Sequence, residues 1–165
     1  MINLTSSDET PHVLLDVITG RDARTLGAAF AAINPWAGYP YPADALEAYL
    51  GAREPGAPRF AIHIDGALAG AIGIRLNWLR GPYLQFLGIL PDFQRRGLGE
   101  KSLAWFEGGA RAQLERNLWV AASDFNADAI RFYERHGFER AALLEGLVDD
   151  SKTELLFRKR LIIQK

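Results

Sequence analysis

The chain has 165 residues, of which 48% are apolar and 24% charged, with a formal net charge of −1. That length suits a single domain spanning 1–165, and a chain of this size buries roughly two thirds of its unfolded surface. The balance excludes a disordered chain and a general nucleic-acid binder, while the lack of cysteine excludes disulfides, thiolate metal sites and a cysteine nucleophile, and agrees with a reducing, cytoplasmic setting.

The first stretch, "MINLTSSDETPH", is polar and has no signal-like apolar core. No apolar run approaches ~18 residues, so no membrane span is expected. "HVLLDVIT" (12–19) is apolar and β-branched and predicts a strand. Thr19 is placed to cap a helix over about 21–32, with Leu26, Phe30 and Ile33 on one face. "NPWAGYPYP" (34–42) carries three prolines that forbid a regular element. "ADALEAYLGA" (43–52) predicts a second, short helix. "RFAIHI" (59–64) and "ALAGAIGIRLNW" (67–78) predict a hairpin around Asp65-Gly66, a strong two-residue turn signal.

"YLQFLGIL" (83–90) is a nearly continuous apolar strand, which suits a central place in a sheet. A helix opening at Gly97 carries the stripe Leu98, Leu103, Phe106, Ala110 and Leu114. "LWVAAS" (118–123) reads as a buried strand, and 126–137 as a short helix ended by Gly137. Two further strands follow, over about 138–147 and 153–162. The order βααβββαβαββ predicts an α/β chain with a mixed sheet of about seven strands and about four helices. Its strand–helix–strand unit over 83–123 should place two strands in parallel.

The segment "PDFQRRGLGEKS" (91–102) joins the end of that strand to the helix. A helix start leaves backbone N–H groups without partners, and these bind anions together with the helix dipole. Gly97 and Gly99 allow close approach of a ligand to the backbone, and Arg95 and Arg96 add charge. The phosphate-loop ending Gly-Lys-Ser/Thr and the three-glycine dinucleotide spacing are both missing.

These residues resemble the GCN5-related N-acetyltransferases (GNAT). "LGILPDFQRRGLGEKSLAWFE" is similar to the family's acetyl-CoA signature, with Gln94, Gly97 and Gly99 in place. "SDFNADAIRFYERHGF" is similar to its second motif, through Asn126, Tyr133, Gly137 and Phe138. The resemblance implies direct transfer of an acetyl group from acetyl-CoA, the co-substrate, to a primary amine of a small molecule, an amino acid or a peptide. It implies that the amides of Arg95, Arg96, Gly97, Leu98, Gly99 and Glu100, with Gln94, hold the coenzyme's diphosphate, and that Asn126 contacts the coenzyme. The main chain of Gly88, Ile89 and Leu90 would pair with the pantetheine arm, with the Ile89 or Leu90 amide on the thioester oxygen and a bulge or close approach at Gly88.

Tyr133 matches the family's proton donor to the leaving thiolate. Where many relatives carry a glutamate base, this chain has Tyr83, with Gln85 two residues on. Neither is a base at neutral pH, so Gln85 orienting a water is the direct expectation and Glu145 a distant one. Trp36, Tyr39 and Tyr41 would wall the acceptor site with π faces that attract a cation, and Asp149 and Asp150 would attract an ammonium. The alternative role for these two loops is ordinary packing. His12, His63 and His136 show no metal-ligand spacing, and no metal is expected. Neither nucleic acid nor membrane is an expected partner, and a homodimer is left open. A rival reading keeps the fold without catalysis, as an acyl-CoA sensor or partner-binding module. Position 83 is its best support.

Overall fold

A computed structural model describes residues 1–6 and 9–162. Eight strands and four helices follow in the order β1 (Ile2–Asn3), β2 (Val13–Val17), α1 (Gly20–Ala31), α2 (Ala43–Gly51), β3 (Arg59–Ile64), β4 (Ala67–Trp78), β5 (Gly81–Ile89), α3 (Leu98–Ala112), β6 (Asn117–Ser123), α4 (Ala127–Arg135), β7 (Glu139–Glu145) and β8 (Thr153–Arg160). They build one mixed sheet in the order β1-β2-β3-β4-β5-β6-β8-β7, in which only β5 and β6 run parallel. The α/β class, the mixed sheet and the parallel pair agree with the sequence. The two-residue β1 was not foreseen, because only its pairing with Leu14 and Leu15 makes it a strand. No helix among the described residues is long and apolar enough to cross a membrane.

Local chemistry explains most boundaries. The Thr19 hydroxyl accepts from the Asp22 amide at 3.2 Å, and the Asp22 carboxylate accepts from the Thr19 amide at 2.9 Å, a reciprocal cap for α1. Asp65 and Gly66 both have positive φ (47° and 81°), as a tight hairpin turn demands. The prolines of 34–42 leave only a single 3₁₀ turn, Trp36–Gly38. Leu114 departs from expectation: α3 stops at Ala112, and Leu114 has φ 58° and is 69% exposed. The buried stripe of α3 is Leu98, Leu103, Phe106 and Ala110.

Two apolar layers cover the sheet. On one face α3 and α4 pack Leu98, Phe106 and Ile130 against Val13, Ile62 and Val120. On the other, α1 and α2 pack Leu26, Phe30 and Leu50 against Ala61, Ala71 and Phe86. Strand alternation should keep residues i and i+2 on the same face. Yet Leu84 belongs to the first layer and Phe86 to the second. The register against β4 explains this: Leu84 faces Ile74 and Phe86 faces Gly73, leaving Gln85 as an extra residue. That bulge, at Gln85 rather than at Gly88, inverts the alternation for the rest of β5. A bulge bends its strand and disrupts the local ladder, and the site begins there.

Candidate active site

β5 and β6 pair only at Tyr83↔Trp119 and Leu84↔Val120. Beyond Leu84 the strands part, while β6 stays paired with β8 as far as Ser123↔Glu154. The outer edge of β5 from Gln85 to Ile89 therefore borders a split in the sheet. The Leu90 amide donates to the Ala69 carbonyl on the β4 side at 2.8 Å. Neighbouring residues alternate between facing a partner strand and turning away from it. Gly88 and Leu90 thus present their main chain to β4, and Leu87 and Ile89 present theirs to the split. Two expectations are corrected here. The Leu90 amide is already engaged, so of the pair named for the thioester oxygen only Ile89 remains. Gly88 is open for packing instead: a Cβ there would lie 2.7 Å from the Phe30 ring and 2.9 Å from Trp36.

Below the split lies a groove of about 590 Å³, lined by Ile89, Gln94, Arg95, Gly97, Gly99 and Glu100 on one bank and by Asn126, Arg131, Phe132 and Tyr133 on the other. Gln94 donates its side-chain amide to the Ile89 carbonyl at 3.0 Å, tying strand end to loop. Arg95 and Gly97 both adopt left-handed backbone (φ 60° and 75°), and Gly97 caps α3 without a side-chain bond. The first amide of the helix with a protein partner is that of Lys101, bonded to the Gly97 carbonyl at 3.0 Å. Six consecutive amides, Arg95 to Glu100, donate to nothing among the described residues. Such a run forms an anion-binding concavity, reinforced by the helix dipole. Arg95 lines the groove, whereas the Arg96 guanidinium lies 5.4 Å from the centre of the Phe93 ring. Leu98 offers only its amide, since its side chain is core. Asn126 caps α4 by accepting from the Ala129 amide at 3.2 Å.

A second cavity of about 420 Å³ continues on the far side of the split. Trp36, Leu87, Asn126 and Tyr133 line both spaces, so they meet at those side chains. Tyr39, Tyr41, Tyr49, Tyr83, Gln85, Ser123 and Glu154 are among the other residues that line the second. Trp36 is held by stacking on Phe86, with centroids 4.8 Å apart at 24°. The Tyr133 hydroxyl has no protein hydrogen-bond partner among the described residues, although the residue is only 7% exposed. Burial pushes its pKa up, and neighbouring Tyr83 adds to the rise. Burial, with Glu154 adding, likewise raises Tyr83 to about 12.

Three acidic expectations fail. Glu145 sits exposed on the outermost strand, paired with Thr153, and lines neither space. Asp149 accepts from the Ser151 amide at 2.9 Å and lies 3.8 Å from Lys152, inside its own turn. Asp150 is exposed, and from this loop it is Val148 that reaches the cavity. The carboxylate in the cavity is Glu154, 8% exposed, which sequence reasoning missed together with Ser123 and Tyr49. Its one signal was a charge inside the apolar strand "TELLF". Of the histidines, His136 directs Nδ1 to the Phe132 carbonyl at 2.7 Å.

The split sheet, with a run of open amides at one end and an aromatic cavity at the other, sets a groove suited to an anionic ligand beside a pocket for a second ligand. The model of the acetyltransferase (GNAT) family matches residues 8–138, and the chain belongs to that family of acetyltransferases. An uncharacterized N-acetyltransferase from the pepI 3′ region of Lactobacillus delbrueckii subsp. lactis is 26% identical over 116 residues, 66% of this chain and 67% of that protein. Streptothricin acetyltransferase A of Bacillus subtilis (strain 168) is 26% identical over 89 residues, 52% of this chain and 49% of that protein. The chain thus spans about two thirds and about half of these two curated relatives. Among solved structures, Ard1 from Thermoplasma volcanium superimposes with a TM-score of 0.74 at 19% identity, covering 91% of this chain and 98% of that one. A Bacillus anthracis str. Ames structure in complex with acetyl coenzyme A has a TM-score of 0.59 at 15% identity, covering 66% and 65%.

Proposed function

We propose that this protein transfers the acetyl group of acetyl-CoA directly to a primary amine of a small molecule, amino acid or peptide, with the whole of residues 1–165 working as one catalytic domain. A cytoplasmic location belongs to this reading and rests on the lack of cysteine. One observation carries the proposal: β5 leaves β6 after Leu84, and the two spaces either side of the split meet at Tyr133. The residues present fit the coenzyme. Six open amides suit a diphosphate, and the outward main chain of Leu87 and Ile89 suits an amide-bearing arm laid along a strand edge.

Acetyl-CoA, when bound, supplies a thioester whose carbonyl carbon accepts a nitrogen and whose sulfur departs as a thiolate. The protein's own groups do the rest. The Ile89 amide, open to the split, donates a hydrogen bond where negative charge develops. Tyr133 carries its proton at neutral pH, as an ordinary phenol does, and it gives that proton to the departing sulfur. A free thiol has a pKa near ~8.5, so the donor speeds departure without being indispensable. Gln85 presents its side chain to the cavity and orients the water that takes the amine's proton. Apolar Leu87, Val120 and Ala122 exclude bulk water from the meeting point.

The test is thermal shift followed by thiol release. Acetyl-CoA at about 100 times its Kd should add roughly 2.7 kcal/mol of stability, and ATP should add much less. Equal stabilisation by ATP would point to unspecific nucleotide binding. An amine panel should then release free CoA. The rival sensor reading draws on Tyr83 and Gln85 standing where a carboxylate base is expected. It forecasts binding of acetyl-CoA with no release above background.

A further inference from the structure

The cavity beyond the split contains a carboxylate that the transfer mechanism above does not use. Glu154 lies in β8 opposite Ser123 of β6, followed by the buried Leu155, Leu156 and Phe157. A buried charge is costly unless something offsets it. No cation of the described residues pairs with Glu154. The nearby Lys152 ammonium is turned over the Tyr39 ring at 5.4 Å and toward Asp149.

The two carboxylate oxygens differ. Oε1 accepts from the Tyr39 hydroxyl, whose oxygen lies 2.6 Å from Ser123 Oγ. Tyr39 has one proton, so the Ser123 hydroxyl donates in turn to the phenolic oxygen. This chain fixes the carboxylate in place. Among the described residues Oε2 has no partner, and it is not among the polar atoms sealed from solvent, so it opens into the cavity. Two other oxygens there, Gln85 Oε1 and Tyr49 Oη, are sealed and unpartnered. Around them stand Trp36, Tyr41 and Tyr83, whose ring faces attract a cation. Among the described residues no lysine, arginine or histidine lines this space.

These features describe a receptor of one kind. A primary ammonium brings three N–H donors and a positive charge, and it finds here an open carboxylate oxygen and aromatic faces. A carboxylate beside that nitrogen would meet Glu154 with nothing cationic to hold it. We infer that Glu154 is the ammonium receptor and specificity determinant of the acceptor site, and that the acceptor is a cationic primary amine with no carboxylate on the carbon bearing its reacting nitrogen. The inference rests on the acetyl-transfer reading and narrows it: amines of the amino-sugar, polyamine or lysine side-chain kind qualify, and free α-amino acids do not.

The experiment uses a matched pair, 2-phenylethanamine and phenylalanine, titrated calorimetrically into the full chain without coenzyme. The amine should bind at least tenfold more tightly than the amino acid. Glu154→Gln should weaken the amine at least tenfold and bring the two ligands together, while acetyl-CoA stabilises both proteins equally. Tyr39→Phe, which frees Oε1, should weaken the amine by a smaller factor. Equal binding of the pair by the unaltered protein, or undiminished amine binding by a folded Glu154→Gln, overturns the inference. If Glu154→Gln does not fold, the matched pair on the unaltered protein decides. A protein that prefers the amine yet ignores acetyl-CoA sinks the transfer reading and leaves the ammonium receptor standing.

Discussion

The two spaces that meet at Tyr133 are made of different material. The anion-binding bank of the groove is built from main chain: six amides, the outer edge of β5 and two left-handed residues, nearly all within 87–100. The cavity is built from side chains of the 3₁₀ turn, α2, β5, β6 and β8. A main-chain site recognises features every acyl-CoA shares and tolerates side-chain change. A side-chain site can be retuned one residue at a time. One fold can therefore keep a coenzyme and change its acceptor, and mutations should separate the two halves.

The largest effect is expected at their junction. Tyr133→Phe removes one hydroxyl from a buried phenol. Loss of a positioned general acid lowers turnover by about 10²–10⁴-fold. Acetyl-CoA affinity should stay within a factor of two or so, because the groove binds through main chain. Turnover equal to that of the unaltered protein would remove Tyr133 from the chemistry.

Next comes Gly88→Ala, which borders the groove but acts through Trp36, a wall of both spaces. Its new Cβ would sit 2.7 Å from Phe30 and 2.9 Å from Trp36. The ring stack of Trp36, Phe30 and Phe86 must shift, and overpacking of this kind costs about 1–3 kcal/mol. Urea unfolding should show a lower midpoint with unchanged slope, and acceptor KM should rise more than acetyl-CoA affinity falls. An unchanged midpoint would mean that the aromatic wall is soft.

The same division explains what could be read from the sequence. The Thr19 cap, the Asp65-Gly66 turn, the left-handed Gly97 and the Asn126 cap are each set by residues within four positions of one another, so spacing alone reveals them. The run from Gln94 to Glu100 belongs to this class, which is why the groove was legible. Glu154 was not, because its role depends on β8 lying beside β6 and on Tyr39, 115 residues away, closing over it. Gly88 was expected to mark a bulge or a close approach; the close approach is there, and the bulge at Gln85 was missed for a related reason. Glycine draws attention as a bulge former, but the extra residue is fixed by register against β4, which one strand cannot disclose. β7 was read as an ordinary strand, yet six of its seven residues are exposed, since at the sheet's end nothing covers it.

The smallest effects come from the two glycines of the groove, and they discriminate most finely. Gly97 has φ 75°, with nothing near the position of a Cβ. Gly97→Ala should therefore cost about 1–2 kcal/mol from left-handed strain alone, a deficit present without coenzyme. Gly99 differs. It lies inside α3 without positive φ, and a Cβ there would touch only the Phe132 ring at an ordinary 3.5 Å. Folding gives no reason for a glycine at that position. Gly99→Ala should stabilise the free protein by about 0.5–1 kcal/mol through helix propensity. If the open amides receive a diphosphate, the same methyl should crowd it, and acetyl-CoA should bind several-fold more weakly to a protein that melts higher. A variant that gains stability and keeps full acetyl-CoA affinity would show that the ligand does not approach this backbone, and the main-chain character assigned to the groove would fail with it.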